Sequence, residues 1–384
     1  MKLGRVLILA DESSDWIVAG LRQLERIALA IDEFAVDNKE TGPIEVCVFW
    51  RPDLDPSVRW LPSHPRLTHV AFTTQPDGKP YDLAVSTRLF LYRKSVEKLL
   101  SEGRGSARPI FSSDRIPDFP DVQKHVPPRE GAWEQIASAG QIEDIERRFL
   151  RHSGKSQDGL VSRYLNRPVS RTITRFLLPT QVTPDGWTWL IFPIPVIAAL
   201  IMARGTYWSF VWGLILFQVF SILDGCDGEI ARAKFLESER GRRLDDLFDV
   251  LSNILLVLGV GAGLRHAHSQ FGGVYLFEGI LAATLIAVSE WYLAAGTPAA
   301  PTLTPESHSL HKTLYPRHRA LVERSGLLMF GENFASLLIQ LTKRDMAVLF
   351  FVLLAIIGMP SLILHLVLVV TAVSLGLALK ARLL

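Results

Sequence analysis

The side chains most able to do chemistry in this chain of 384 residues are four carboxylates, Asp224, Asp227, Asp245 and Asp249. Asp224 and Asp227 stand three apart at the end of one apolar run, and Asp245 and Asp249 stand four apart at the start of the next. If both runs are helical, each pair projects from one face. Two such faces meeting at a membrane surface would bring four negative charges to one point, where they repel one another unless cations lie between them. A hard divalent ion, Mg²⁺ or Mn²⁺, is the natural partner of an all-oxygen donor set. Charge at the edge of a hydrophobic span is costly and is usually kept for function. The plain alternative is a solvated acidic loop between two membrane helices, which needs neither this spacing nor the glycines set among the carboxylates.

Written out, the stretch is D-x2-D-G-x2-A-R-x8-G-x3-D-x3-D, filled by Asp224, Asp227, Gly228, Ala231, Arg232, Gly241, Asp245 and Asp249. It resembles the signature of the CDP-alcohol phosphotransferase (CDP-alcohol phosphatidyltransferase) family. A chance match at all eight positions in a chain this long has odds on the order of 10⁻⁸. The resemblance implies a membrane-embedded transferase that moves a phospho-alcohol from a CDP-alcohol donor to an acceptor alcohol and releases CMP. It implies two Mg²⁺ or Mn²⁺ ions held by Asp224, Asp227 and Asp245, with Asp249 as a further ligand or as the general base. Gly228, Ala231 and Gly241 would be small where the nucleotide approaches the backbone, although tight helix packing explains glycines equally well. Arg232 would pair with a phosphate or brace an aspartate. Family members often form homodimers, and no nucleic-acid partner is implied.

These residues must be positioned by membrane helices. Of the chain, 48% is hydrophobic, and the net charge of +2 decides little. Up to about Pro184 the sequence has the charges and prolines of a soluble protein; beyond it, apolar runs at 187–203, 207–223, 250–264, 274–295, 346–358 and 361–379 predict six spans. Arg232, Lys234, Arg240, Arg242 and Arg243 lie between the second and third spans. Lys312, Arg317, Arg319, Arg324, Lys343 and Arg344 lie between the fourth and fifth, and Lys380 and Arg382 follow the sixth. The positive-inside rule then places these connections, the N-terminal half and the aspartates in the cytoplasm, with the chain in the cytoplasmic (inner) membrane. A channel or cation transporter, the rival class beside a non-catalytic scaffold, would carry ionisable groups nearer the bilayer centre. Glu278, Glu290 and His365 within the runs are left without a role. His308, His311 and His318 are too irregularly spaced for zinc.

The N-terminal half alternates strand and helix: strands at Val6–Ala10, Ile44–Trp50, Val70–Thr73 and Asp82–Leu91, and helices over Trp16–Phe34 and Arg93–Leu100. This pattern predicts a doubly wound α/β domain, and the order of elements resembles the sugar-phosphate nucleotidyltransferase domain that some members of the family carry. The loop after the first strand, Asp11-Glu12-Ser13-Ser14-Asp15, puts carboxylates where a triphosphate needs N–H donors, so nucleotidyl transfer is not expected there. Its acidic residues are either a strand-to-helix cap or a metal site. Residues 101–131 read as loop. Cys47 and Cys226 do not make a disulfide framework.

Between the halves, Gln141–Arg151 reads as a charged helix. Leu160–Leu178 carries an apolar stripe beside Arg163, Arg167, Arg171 and Arg175, which suits an interfacial helix on anionic headgroups, kinked at Pro168. Asp158 to Pro168 resembles the segment before the first span in the inositol-phosphodiester, di-inositol-phosphate phosphate synthase branch of the family. That likeness favours an inositol phosphate acceptor, with a phospholipid synthase using CDP-diacylglycerol as the alternative. Family members often have Pro-Asn ahead of the first span where this chain has Pro184-Asp185, and Asp185 is expected to cap the helix that follows. The domains expected are 1–140, soluble; 141–186, linker and juxtamembrane helices; and 187–384, a six-helix membrane domain.

Overall fold

Val6, Leu7, Ile8, Leu9 and Ala10 are all buried, as a strand must be when it is covered on both faces of a parallel sheet. The structure, a computed structural model, describes residues 3–38, 42–103, 129, 131–154, 158–268, 270, 272–295 and 343–383. Strand β1 (Arg5–Ala10) pairs in parallel with β4 (Ile44–Trp50) on one side and with β6 (Leu83–Ser86) on the other; β5 (Val70–Thr73) continues beyond β4, giving the order β5-β4-β1-β6. The chain leaves β1 in one direction and returns to its other edge. Ligand crevices of open α/β sheets form at such reversal points, beyond the carboxyl ends of the strands.

Two local predictions change. The stretch from Trp16 begins not as helix but as a short hairpin, β2 (Ile17–Val18) against β3 (Leu21–Arg22), and helix α1 starts only at Gln23 and runs to Asp37. Ala19 and Gly20 turn the hairpin at φ 50° and 80°, a left-handed backbone that a helix cannot include. The predicted fourth strand is two: β6 ends at Ser86, and β7 (Leu89–Leu91) pairs antiparallel with β8 (Trp133–Gln135) in a separate ribbon. Helix α2 (Ser95–Gly103) and helix α3 (Ile142–His152) complete this half.

The chain divides into two units, residues 1–153 with 178–180 and 232–235, and the remainder. In the first, Arg26 on α1 is fully buried, with no carboxylate in hydrogen-bond contact among the described residues. Its Nη2 donates to the carbonyls of Val18, Ala19 and Ala233 at 3.0, 3.2 and 2.8 Å, and Phe90 and Phe235 stack over the guanidinium.

The second unit is helical. A π-helical turn at Ser162–Asn166 leads into α4 (Arg167–Leu177). The kink expected at Pro168 does not divide the stretch into two helices: the π-helical turn comes just before it and the helix runs on through Pro168. There follow α5 (Pro184–Ile191), α6 (Pro193–Met202), α7 (Tyr207–Ala233), α8 (Glu239–Ala267), α9 (Gly272–Ala295), α10 (Arg344–Ile357) and α11 (Ser361–Leu383). Small residues let the long helices close on one another; a Cβ on Gly261 of α8 would stand 3.1 Å from the Cα of Gly279 on α9.

Four helical stretches are long and apolar enough to cross a membrane: Pro184–Met202, Tyr207–Ala233, Glu239–Ala267 and Gly272–Tyr292. The runs expected as fifth and sixth spans form α10, of 14 residues, and the shorter apolar stretch Ser361–Gly376 within α11, so the described helices establish four candidate spans rather than six. His308, His311 and His318, most of the connection between the fourth and fifth runs, and most of 101–131 lie outside the described residues.

Candidate active site

Asp224 and Asp227 sit near the C-terminal end of α7, and Asp245 and Asp249 in the first turns of α8. The connection between these helices is short, and Ser238 caps α8 by accepting from the Gly241 N–H at 2.9 Å. The two helix ends therefore face each other. Asp224, Asp227 and Asp245 each offer an oxygen within 4.8 Å of the others. Thr188 on α5 donates to Asp227 Oδ2 at 2.9 Å, and the Gly228 N–H contacts Oδ1.

The donor set fits a divalent ion. Oxygens around a Mg²⁺ at its usual 2.0–2.1 Å lie about 3 to 4.2 Å apart, so a modest contraction closes the three carboxylates around one ion. Asp227 is only 8% exposed, and holding its charge there beside two others without a counter-cation is costly.

Asp249 does not join the group of three. Its Oδ1 is in ion-pair contact with Nη1 of Arg344, the first residue of α10; the same nitrogen lies 3.8 Å from Asp224 Oδ2, and Nη2 donates to Ser252 Oγ at 3.2 Å. Arg344 was one positive charge among several in the sequence, and nothing in its spacing pointed at an aspartate 95 residues earlier.

The other predicted residues lie on the same two helices, Gly228, Ala231 and Arg232 on α7 and Gly241 on α8. Ala231 is buried, and Arg232 lies in the last turn of α7. A Cβ on Gly241 would come 2.9 Å from Asp185 Oδ1, so the glycine admits that carboxylate to the start of α8. Asp185 itself is not the cap of α5. Thr183 is, its Oγ1 accepting from the Gly186 N–H at 3.2 Å, while Asp185 sits in the first turn.

The largest correction concerns Arg167. It does not lie on the exposed face of an interfacial helix but is buried, forming a two-bonded pair with Asp158 at 2.9 and 3.0 Å and donating from Nη1 to Glu229 Oε1 and to the Gly225 carbonyl, both at 3.1 Å. Burial works against its charge, but Asp158 and then Glu229 outweigh this and raise the guanidinium pKa above its ordinary value. Glu229, fully buried, also accepts from Ser170 at 2.9 Å and Thr174 at 2.7 Å. Glu229 stands within the motif at an unspecified position, and this network ties α4 to the aspartate-bearing helix. Ser162 N–H donates to Asp345 at 2.5 Å, which joins the start of α10 to the same segment.

The acidic loop of the α/β unit behaves differently. Asp11 is 2% exposed and accepts from the Ser13 N–H at 2.9 Å, the Ser13 hydroxyl at 2.5 Å and Arg88 Nε at 2.6 Å, while Glu12 takes Arg88 Nη2 at 2.6 Å. Asp11 is thus the cap of a short helical turn. Burial raises its pKa, but the bonds from Ser13 and Arg88 win and hold it below the ordinary carboxylate value.

Facing aspartates at the ends of two long apolar helices define a class, and comparison with known proteins gives it a name. The family model described as CDP-alcohol phosphatidyltransferase matches residues 181–305 of this chain. Two proteins described as bifunctional IPC transferase and DIPP synthase are similar to it. The one from Rubrobacter xylanophilus is 37% identical over 137 residues, 35% of this chain and 31% of its own length. The one from Thermococcus kodakarensis is 37% identical over 118 residues, 30% of this chain and 26% of its own. The chain thus spans about a quarter to a third of the length of these relatives. An Escherichia coli protein described as inner membrane protein YnjF is 29% identical over 149 residues, 39% of this chain and 68% of its own length.

Proposed function

We propose that the protein is a membrane-embedded, divalent-metal-dependent CDP-alcohol phosphotransferase, with a phosphorylated polar alcohol such as inositol phosphate as acceptor. The observation that carries this reading is the convergence of Asp224, Asp227 and Asp245 within 4.8 Å at facing ends of two apolar helices. The matched domain supports the reaction class, and the similarity to proteins named DIPP synthase supports a polar acceptor. A phospholipid synthase using CDP-diacylglycerol is the second reading, favoured by the exposed Tyr164 and Phe176 on the segment before the first span.

In this proposal Asp224, Asp227 and Asp245 hold Mg²⁺ or Mn²⁺, and Asp249 serves as a further ligand or as the base. The metal supplies charge to balance the phosphates of the donor when bound. The acceptor hydroxyl oxygen forms a bond to the β-phosphorus, the bond from that phosphorus to the bridging oxygen breaks, and CMP leaves with the electron pair. The hydroxyl proton passes to Asp249, whose Oδ2 has no hydrogen-bond donor among the described residues. Gly228, Ala231 and Gly241 leave room for the nucleotide beside the backbone, and Arg232 supplies charge for a phosphate.

The same proposal holds residues 1–140 to be a nucleotidyltransferase-like domain without that activity, 141–186 a juxtamembrane linker, and 187–384 a six-span membrane domain. It takes the protein to be a homodimer in the cytoplasmic membrane, with its site on the cytoplasmic side. The test is CMP release by detergent-solubilised protein with Mg²⁺, offering CDP-inositol or CDP-diacylglycerol as donor and inositol 1-phosphate or glycerol 3-phosphate as acceptor, beside Asp249→Asn. CMP from wild type alone is the expected result, and the productive pair separates the two acceptor classes. No turnover and no Mg²⁺-dependent nucleotide binding would overturn the reading in favour of a scaffold or transporter.

A further inference from the structure

The carboxyl end of the aspartate-bearing helix is finished by residues far from it in sequence. Helix α7 ends at Ala233, and the segment Arg232–Phe235 packs as part of the α/β unit rather than of the helical one. Phe235 has φ 54°, a left-handed backbone that strains a bulky residue and that glycine usually supplies at this place. The Leu236 N–H then donates back to the Ala231 carbonyl at 2.8 Å, the long bond of a Schellman turn. The remaining carbonyls of a helix end need donors. Here two arginines provide them. Arg26 Nη2 donates to the Ala233 carbonyl at 2.8 Å, while Arg66 Nη1 donates to the Lys234 carbonyl at 3.1 Å and contacts that of Phe235. A cation at this position also meets the negative pole of the helix dipole. The Phe235 side chain is buried in the core of the α/β unit, Lys234 Nζ donates to the Thr180 carbonyl at 2.6 Å, and a Cβ on Gly20 in the hairpin turn would come 2.8 Å from the Lys234 side chain.

We propose that the α/β unit supplies the carboxyl-terminal cap of α7, with Arg26 and Arg66 as positioning residues that fix the helix end on which Asp224 and Asp227 stand. The inference rests on the divalent-metal reading above, and it gives the α/β unit a role that needs no nucleotidyl transfer. Asp227 lies six residues before Ala233, less than two helical turns. The connection that follows is short and ends at Ser238, the cap of α8. A helix end frays when its last carbonyls lack donors, and loss of the last turns would release Asp227 and change its distance from Asp245 on α8. A strained residue such as Phe235 persists only where its surroundings over-determine it. The arginines therefore hold the connection in a shape that it would not keep alone. Neither arginine is asked to touch substrate or metal; each acts through the backbone.

The experiment compares full-length solubilised wild type, Arg66→Met and Arg66→Lys by hydrogen exchange with mass spectrometry and by Mn²⁺ titration, free ion being read by its electron paramagnetic resonance signal. In Arg66→Met, peptides covering 231–238 should exchange on the order of tenfold faster while those of β1 keep their protection, and Mn²⁺ should bind several-fold more weakly. The sign is diagnostic: loss of a positive charge would by Coulomb's law alone favour a bound cation, so weaker binding reports a displaced helix end. Arg66→Lys keeps a charged donor and should restore most of both effects. Arg26→Met, which removes the donor to the Ala233 carbonyl, should speed exchange in the same peptides. A merely structural Arg66 would lower the thermal midpoint and speed exchange throughout the α/β unit with Mn²⁺ affinity unchanged, and that result would overturn the inference. So would exchange at 231–238 that is indifferent to the substitution. Should Arg66→Met fail to fold, wild type gives the second reading: the Leu236 amide, at a helix end of the kind that ordinarily frays, should be protected as strongly as the amides of α1, and fast exchange there would overturn the cap. Wild type that binds no Mn²⁺, with the exchange pattern as expected, would sink the divalent-metal reading and leave the cap standing.

Discussion

The chain carries two clusters of acidic residues at the ends of regular elements, and they have opposite fates. Asp11, beyond the end of β1, is met by two donors from Ser13 and one from Arg88, and Glu12 shares that arginine. Asp224, Asp227 and Asp245, at the facing ends of α7 and α8, each bring an oxygen within 4.8 Å of the others. The first loop is finished by the fold around one buried carboxylate, whereas the second gathers three carboxylates around one point with Arg344 at its edge, 3.8 Å from Asp224. The difference separates carboxylates that build structure from carboxylates that wait for a ligand, and density of acidic residues alone would not have done so.

The strongest way to break this contrast is to remove the charge at its centre. Asp227→Asn should lower CMP release by at least about 10³-fold and abolish tight Mn²⁺ binding, because the site then lacks its most buried carboxylate. If the variant kept wild-type turnover, the three-aspartate group would not be the active site. Next comes the network that sets the pose of α7. Glu229→Ala should cost about 3 kcal/mol of stability, measured by thermal unfolding, because it strips one carboxylate and leaves Arg167, Ser170 and Thr174 around a buried void. The loss should shrink in a double variant with Arg167→Met, and simple additivity would show that the two are not coupled.

A smaller effect is expected at the acidic loop that the fold has already satisfied. Asp11→Asn should destabilise the α/β unit by about 2 kcal/mol, chiefly through the bond from Arg88, and leave Mn²⁺ affinity unchanged. The pH dependence has a definite sign. Asp11 has a folded-state pKa held below its unfolded value, so its contribution is complete above the unfolded value of about 4 and disappears as pH falls through the folded one. Wild type should therefore lose stability relative to Asp11→Asn on acidification below about pH 4, and parallel curves would refute the assignment.

The sequence made the aspartates readable because their spacing is local: three and four residues apart on helices is enough to set a face. The central sheet was readable for the same reason, as runs such as Val6–Ala10 are buried on both faces and carry no alternation to misread. What the sequence withheld depends on distant partners or on single backbone angles. Arg167 has the period of a headgroup-facing stripe, and only the fold brings Asp158 and Glu229 to it. Ala19 at φ 50° turns a hairpin where the apolar pattern suggests helix. Arg344 lies beyond a long connection from the aspartate it meets, and its role comes entirely from tertiary placement.

The finest test asks whether the aspartate cluster is tuned by the helix before it. Thr188 donates to Asp227 Oδ2 from one turn inside α5, and the Thr188 hydroxyl is also 3.1 Å from the Pro184 carbonyl. A donor on one oxygen of a carboxylate fixes which oxygen is left to face the neighbouring aspartates. Thr188→Val keeps the shape and removes the hydroxyl, so the expected cost is about 1 kcal/mol. It should appear as a several-fold weaker Mn²⁺ affinity, with thermal stability nearly unchanged, since the isosteric valine keeps the packing of this buried residue. Weaker ion binding without a stability change would place Thr188 among the residues that orient the site. A stability loss with unchanged ion affinity would instead make it a helix-packing contact and would narrow the aspartate cluster to the carboxylates alone.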